Sequence, residues 1–120
     1  MTPSRFFMAA GGLSGAACVA LSAAAAHQGG GTIGTAAAML LAHAPALLAI
    51  GLAGGSRLLR IGAGVLLAGL VVFSLDLVSR QYLGDRLFPF AAPTGGTAMI
   101  LGWLAIAGAG ALWPRARPEG

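Results

Sequence analysis

Charge is the scarcest commodity in this sequence. Of 120 residues only 8% are Asp, Glu, Lys or Arg, against about a quarter in an ordinary soluble domain. That leaves too little polar surface to clothe a water-soluble core, so lipid must be the solvent around most of the chain. Cysteine is nearly absent as well. Cys18 stands alone in an apolar run, which excludes an intramolecular disulfide and any CxxC zinc or redox site. It reads as a small buried apolar side chain. Lysine is missing: all seven basic residues are arginines, and the net charge is +4. They sit singly or in pairs between long apolar stretches, the distribution of membrane-flanking charge and not of a basic face that tracks phosphates. No nucleic-acid partner is expected. Basic residues that are all Arg, with 20 glycines and abundant alanine, fit a GC-rich bacterial genome.

What is present is apolar length. Hydrophobic residues make up 58% of the chain and the mean hydropathy is +0.87. A helix needs about 20 apolar residues to cross the hydrocarbon core. Four segments qualify, residues 6–26, 35–54, 61–79 and 95–113. The connectors 29–34, 55–60 and 80–94 carry the glycines, proline or charges that halt an apolar helix. The expected fold is therefore all-α: an integral membrane four-helix bundle that forms a single transmembrane domain over residues 1–120.

Loop charge sets the orientation. Arg5, Arg57, Arg60, Arg115 and Arg117 fall on one side if all four segments span, and only Arg80 and Arg86 on the other. The positive-inside rule then places both termini in the cytoplasm, N-in and C-in, in a multi-pass protein of a bacterial inner (plasma) membrane. Tyr82 and Trp113 lie near the expected interfaces, where amphipathic rings are at home. The first segment has a second reading. Arg5, the apolar stretch and Ala24-Ala25-Ala26 resemble a secretory signal, whose cleavage would leave His27 as an N-terminal copper ligand. The apolar run is longer than a usual signal core, which favours a retained helix.

Transmembrane helices associate by close packing, and small residues allow the approach. Gly11 and Gly15 form a GxxxG pair in the first segment and Gly51 and Gly55 another at the second. Gly62 and Gly69 lie in the third, and Gly102, Gly108 and Gly110 in the fourth. Such faces suit a tight bundle, a homo-oligomer or a subunit of a larger membrane complex. Pro45 removes an amide donor and frees the carbonyl of Leu41, so a kink is expected in the second helix.

Three stretches read together resemble a known family. The Gly/Ala-rich run from Gly11 to Ala26-His27 is similar to the opening helix of the bacterial "domain of unknown function 423" family. Leu41-Ala-His-Ala-Pro-Ala-Leu-Leu-Ala-Ile-Gly51 resembles its second helix, where a histidine precedes an Ala/Leu run. Pro93-Thr-Gly-Gly-Thr-Ala-Met-Ile-Leu-Gly-Trp103 resembles its closing signature, and Phe73-Ser74 falls where the family has Phe-Ser-Gly-Ser. The likeness runs from about Gly11 to Ala111, and a eukaryotic relative is transmembrane protein 256. It implies a four-helix membrane protein and supplies no activity. Two departures stand out. Leu75-Asp76 replaces the family's Gly-Ser, and Ala, Met and Leu replace the aromatic and glutamine residues usual before the second histidine.

Ionisable groups inside a span are costly and are candidates for function. His27 ends the first segment. His43 lies about 12 Å into the second, near mid-membrane, and Asp76 sits about one turn below the outer end of the third. Ser74, Thr94 and Thr97 lie on the same side, so these six residues form a candidate polar cluster in the outer half. Each also has a plainer role. Asp76 precedes Arg80 by four residues, the spacing of a helical ion pair. His27 suits an interface. His43 is too deep for water and reads as a neutral histidine hydrogen-bonded to the Leu41 carbonyl or, across helices, to Ser74, Asp76 or Thr97. The sharper alternatives are a proton or cation relay between His43 and Asp76, a metal held by two histidines and an aspartate, or haem between the histidines. Catalytic motifs are missing: no HExxH, phosphate loop, CxxCH or recognisable Ser-His-Asp context occurs. The expectation is a non-enzymatic structural or accessory subunit without a cofactor, packed in or with a larger membrane assembly. The alternative is a small oligomeric transporter or channel that uses Asp76 and His43 for coupling.

Overall fold

The computed structural model describes residues 2–115, so the expectation for Arg117 lies outside the described residues. Four helices follow one another: α1 (Arg5–Gln28), α2 (Gly31–Ala53), α3 (Arg57–Tyr82) and α4 (Ala91–Ala111). Each is long and apolar enough to cross a membrane. All four lie where the sequence places them, with longer or shifted ends. α2, α3 and α4 each begin four residues earlier than expected, because residues 31–34, 57–60 and 91–94 already have helical backbone. The first connector shrinks accordingly to Gly29 and Gly30. The helix α2 continues through Pro45.

Local signals set the helix ends. Ser4 caps α1 by accepting the Phe7 amide at 3.3 Å, and Ser56 caps α3 by accepting the Leu59 amide at 3.2 Å. Such caps satisfy donors that a helix start otherwise leaves open. α2 stops at Gly54, whose φ of 67° lies in the region that suits glycine. Three residues later the chain has already reversed into α3.

The helices form two antiparallel hairpins, α1 on α2 and α3 on α4, joined through α2 and α3. Glycine makes both hairpins close. A Cβ on Gly69 would stand 2.6 Å from the Gly95 carbonyl, and one on Gly102 would stand 2.7 Å from the Leu66 amide. The α3 and α4 backbones therefore touch where any side chain would separate them. Gly11 and Gly51 serve α1 and α2 in the same way. The expected GxxxG pairs are only half used, since Gly15 makes a single distant contact and Gly55 lies in the connector. The core is drawn from all four helices and includes Phe7, Cys18, Leu40, Leu47, Leu66, Leu70 and Met99. The start of α1, the end of α4 and the α2–α3 connection share one end of the bundle. The α1–α2 turn and the loop from Leu83 to Phe90 share the other, here called the loop end.

Candidate functional site

His43 lies halfway along α2 and is 5% exposed. Its Nδ1 lies 2.6 Å from the carbonyl of Met39, one turn back on the same helix. Its Nε2 lies 3.0 Å from the indole Nε1 of Trp103 on α4. These partners fix the proton. A carbonyl only accepts and an indole N–H only donates, so the ring is the Nδ1–H tautomer with its Nε2 lone pair facing Trp103. Neither nitrogen is left for a metal or a moving proton. The rings are tilted by 50° with centroids 5.6 Å apart, and Trp103 covers the imidazole from the outside of the bundle.

Both partners differ from those expected. The Leu41 carbonyl is not the acceptor, and Ser74, Asp76 and Thr97 do not reach the ring. Trp103 was the missing partner, and a signal for it existed. His43 and Trp103 each lie eight residues beyond the expected start of their segments, Thr35 and Gly95. Both segments run in the same direction, so equal offset means equal depth.

Asp76 forms a second and separate site. Its side chain is fully buried near the loop end of α3. Oδ2 stands 2.8 Å from the Arg80 guanidinium, the ion pair expected from the i,i+4 spacing. Oδ1 accepts the Leu87 amide at 2.8 Å, a contact no local spacing indicates. Beside it, Ser79 Oγ donates to the Asp85 carbonyl at 2.8 Å. One face of α3 thus holds the following loop by its main chain. Tyr82 adds a tie across the loop end, its hydroxyl donating to Gln28 Oε1 at 3.0 Å.

The six candidate polar residues do not form one cluster. The close approach of Gly11 to Leu48 and of Gly51 to Met8 puts His43 level with Ala16. His27 is eleven residues further on, about 16 Å along the axis, and exposed. On the other hairpin, Gly102 against Leu66 and Gly95 against Phe73 put Trp103 level with Val65. Asp76 then lies about 16 Å from the His43–Trp103 pair along the axis. A relay, a shared metal or a shared haem needs these groups within bonding reach, and the antiparallel register keeps them apart. Among the described residues no group of three His, Cys, Asp or Glu side chains is placed to hold a metal ion. Thr97 bonds the Pro93 carbonyl of its own helix at 2.7 Å, and Thr94 is exposed. Ser74 is buried, and its hydroxyl has no hydrogen-bond partner among the described residues.

The Gly/Ala-rich α1, the His43 stretch of α2 and Pro93–Gly96 of α4 are the stretches whose sequence resembles a known family. A family model described as "Protein of unknown function (DUF423)" matches residues 14–96. The chain belongs to this family. No curated protein and no solved structure matches it. The matched stretch of this DUF423 chain holds His27, His43, Ser74, Asp76 and Thr94. It is shorter than the likeness read from the sequence, and it ends before Thr97 and Trp103. For this DUF423 chain, then, the buried ionisable groups resolve into two intrachain fastenings: an indole–imidazole pair at mid-bundle and a carboxylate that anchors a loop.

Proposed function

We propose that this DUF423 protein is a non-enzymatic packing subunit of a larger membrane assembly, held in a bacterial plasma membrane with both termini in the cytoplasm. One observation carries the reading. The two buried ionisable groups of α2 and α3 are committed to partners in the same chain, His43 to Met39 and Trp103, and Asp76 to Arg80 and Leu87. Groups so bonded rigidify a bundle, and their partners leave no free lone pair of His43 to carry charge. Meanwhile large apolar side chains remain uncovered on the outer helices, among them Leu13 and Val19 of α1 and Ile100 and Leu104 of α4. Most of the glycines that meet a backbone are used within the two hairpins. Gly12 on α1 and Gly96 and Gly110 on α4 meet nothing within 4 Å, and they are places where another helix can come close.

Extraction in mild detergent tests the proposal. The chain is expected to co-purify with other membrane subunits at fixed stoichiometry, and a lone monomer at every concentration would overturn it. The transporter alternative assigns coupling to Asp76, which would have to release both Arg80 and the Leu87 amide in each cycle. Under that reading Asp76→Asn abolishes transport in reconstituted vesicles. Under the packing role the same substitution leaves assembly intact.

A further inference from the structure

The two ends of the bundle differ in charge. The loop end balances Arg80 and Arg86 against Asp76 and Asp85, and Arg80 is paired with Asp76. At the other end Arg5 opens α1, Arg57 and Arg60 lie in the first four residues of α3, and Arg115 follows α4. All four are exposed. Among the described residues no Asp or Glu lies at that end, and none of these guanidinium groups is in a salt bridge.

Depth and surroundings say what kind of anion fits. α3 has 26 residues, a length of about 39 Å, against a hydrocarbon core of about 30 Å. Centred in that core, it carries Arg57 and its first turn into the headgroup layer, where phospholipid phosphates lie. Beside that turn a cleft of about 240 Å³ opens between the start of α3 and the end of α4. Leu58, Ala109 and Leu112 give it an apolar lining. Trp113, 42% exposed, adds an amphipathic ring of the kind that settles at this depth. The Ser56 hydroxyl accepts the Leu59 amide and keeps its own proton to donate. Arg57 adjoins the lining residues Ser56 and Leu58 on one wall, and Arg115 adjoins Pro114 on the other.

An apolar cleft with a cation on each rim matches the upper part of an anionic phospholipid, whose glycerol and first methylenes lie beneath its phosphate. A free inorganic anion would leave the apolar lining unused. A zwitterionic lipid would bring an ammonium among four like charges. Basic pockets between transmembrane helices bind anionic headgroups in this way.

We propose that the cleft between the start of α3 and the end of α4 binds the headgroup of an anionic phospholipid. Arg57 and Arg115 hold the phosphate, and Trp113 covers the glycerol region beneath it. Arg5 and Arg60 add to the field that draws anionic lipid to this end. The site is independent of the packing role, since the isolated chain binds the lipid without protein partners.

Native mass spectrometry tests this on the full chain, purified in mild detergent and offered equal amounts of phosphatidylglycerol and phosphatidylethanolamine. The expected result is preferential retention of phosphatidylglycerol. Arg57→Gln and Arg115→Gln should each lower that preference about fivefold, the effect of about 1 kcal/mol per arginine near an anionic surface. Trp113→Ala should lower phosphatidylglycerol retention with no change of charge. Arg86→Gln, at the loop end, should leave it unchanged, and excess inorganic phosphate should not displace the lipid. Circular dichroism confirms that each variant is folded; Arg115 lies beyond α4, so its variant tests the site even if Arg57→Gln disturbs the start of α3. Equal retention of the two lipids by the native chain, or an unchanged preference in Arg115→Gln, overturns the proposal. An equal loss in Arg86→Gln overturns it too, because net charge alone would then set the preference, and displacement by phosphate would make the site one for a free anion.

Discussion

Removing either ring of the His43–Trp103 pair is the sharpest test of what holds α2 against α4. Trp103→Phe leaves the Nε2 lone pair of a 5%-exposed histidine facing a ring edge that cannot donate. An unsatisfied buried acceptor costs about 1–3 kcal/mol. His43→Leu does less harm. Leucine suits the bundle and needs no partner, the Met39 carbonyl keeps its helical amide, and Trp103 is 41% exposed, so its indole is free to reorient. The expected cost is that of one interhelical contact, about 0.6 kcal/mol and at most about 1.7. In the double variant His43→Leu/Trp103→Phe there is no orphaned acceptor. Its cost should fall short of the sum of the singles by about 0.6–1.7 kcal/mol. Denaturant titration in micelles, followed by far-ultraviolet circular dichroism, measures all three. Additivity within about 0.3–0.5 kcal/mol would refute the hydrogen bond as a coupling element. A cellular phenotype for His43→Leu without loss of stability would refute the structural role and restore a chemical one.

Three further outcomes are expected. Gly102→Ala pushes a Cβ to 2.7 Å from the Leu66 amide and 2.8 Å from its Cα, an overpacking that costs about 1–3 kcal/mol. Gly12→Ala meets nothing within 4 Å and should stabilise by up to about 1 kcal/mol through helix propensity; the two melting temperatures in detergent should move in opposite directions. Asp76→Leu orphans the Leu87 amide at about 1–3 kcal/mol and speeds hydrogen exchange in residues 83–90, whereas Asp76→Asn keeps an acceptor there and should exchange nearly as the native chain does. The ion pair itself adds little, because Arg80 is one-third exposed. With Cys18 replaced, cysteines at Gly30 and Ser56 should be labelled from opposite faces of the membrane, Ser56 from the cytoplasm. Labelling of both from one side would overturn the topology.

The sequence by itself determined the solvent, the number of spans and their class. Those follow from composition and from the length of uninterrupted apolar runs, which depend on no long-range contact. It also determined the Asp76–Arg80 pair, because four residues on a helix make neighbours, and the burial of Cys18 and His43, because a short side chain at mid-span has no route to water. Helix starts were misplaced by four residues at α2, α3 and α4, since Gly31, Gly34, Pro93 and Thr94 are poor formers by propensity and Arg57 and Arg60 read as connector charges, yet all three stretches are helical. Tertiary structure alone decided the partners. His43 takes Trp103 and Asp76 takes the Leu87 amide because the glycine crossings at Gly11, Gly51, Gly69 and Gly102 fix how far each helix slides along the next. The same register separates His43 from Asp76 by about three helical turns, so polar residues that shared a half of the membrane on paper became two distant fastenings. The cleft between the start of α3 and the end of α4 was illegible for a related reason. A gap is a property of where two helices meet, and no residue in either helix encodes it alone.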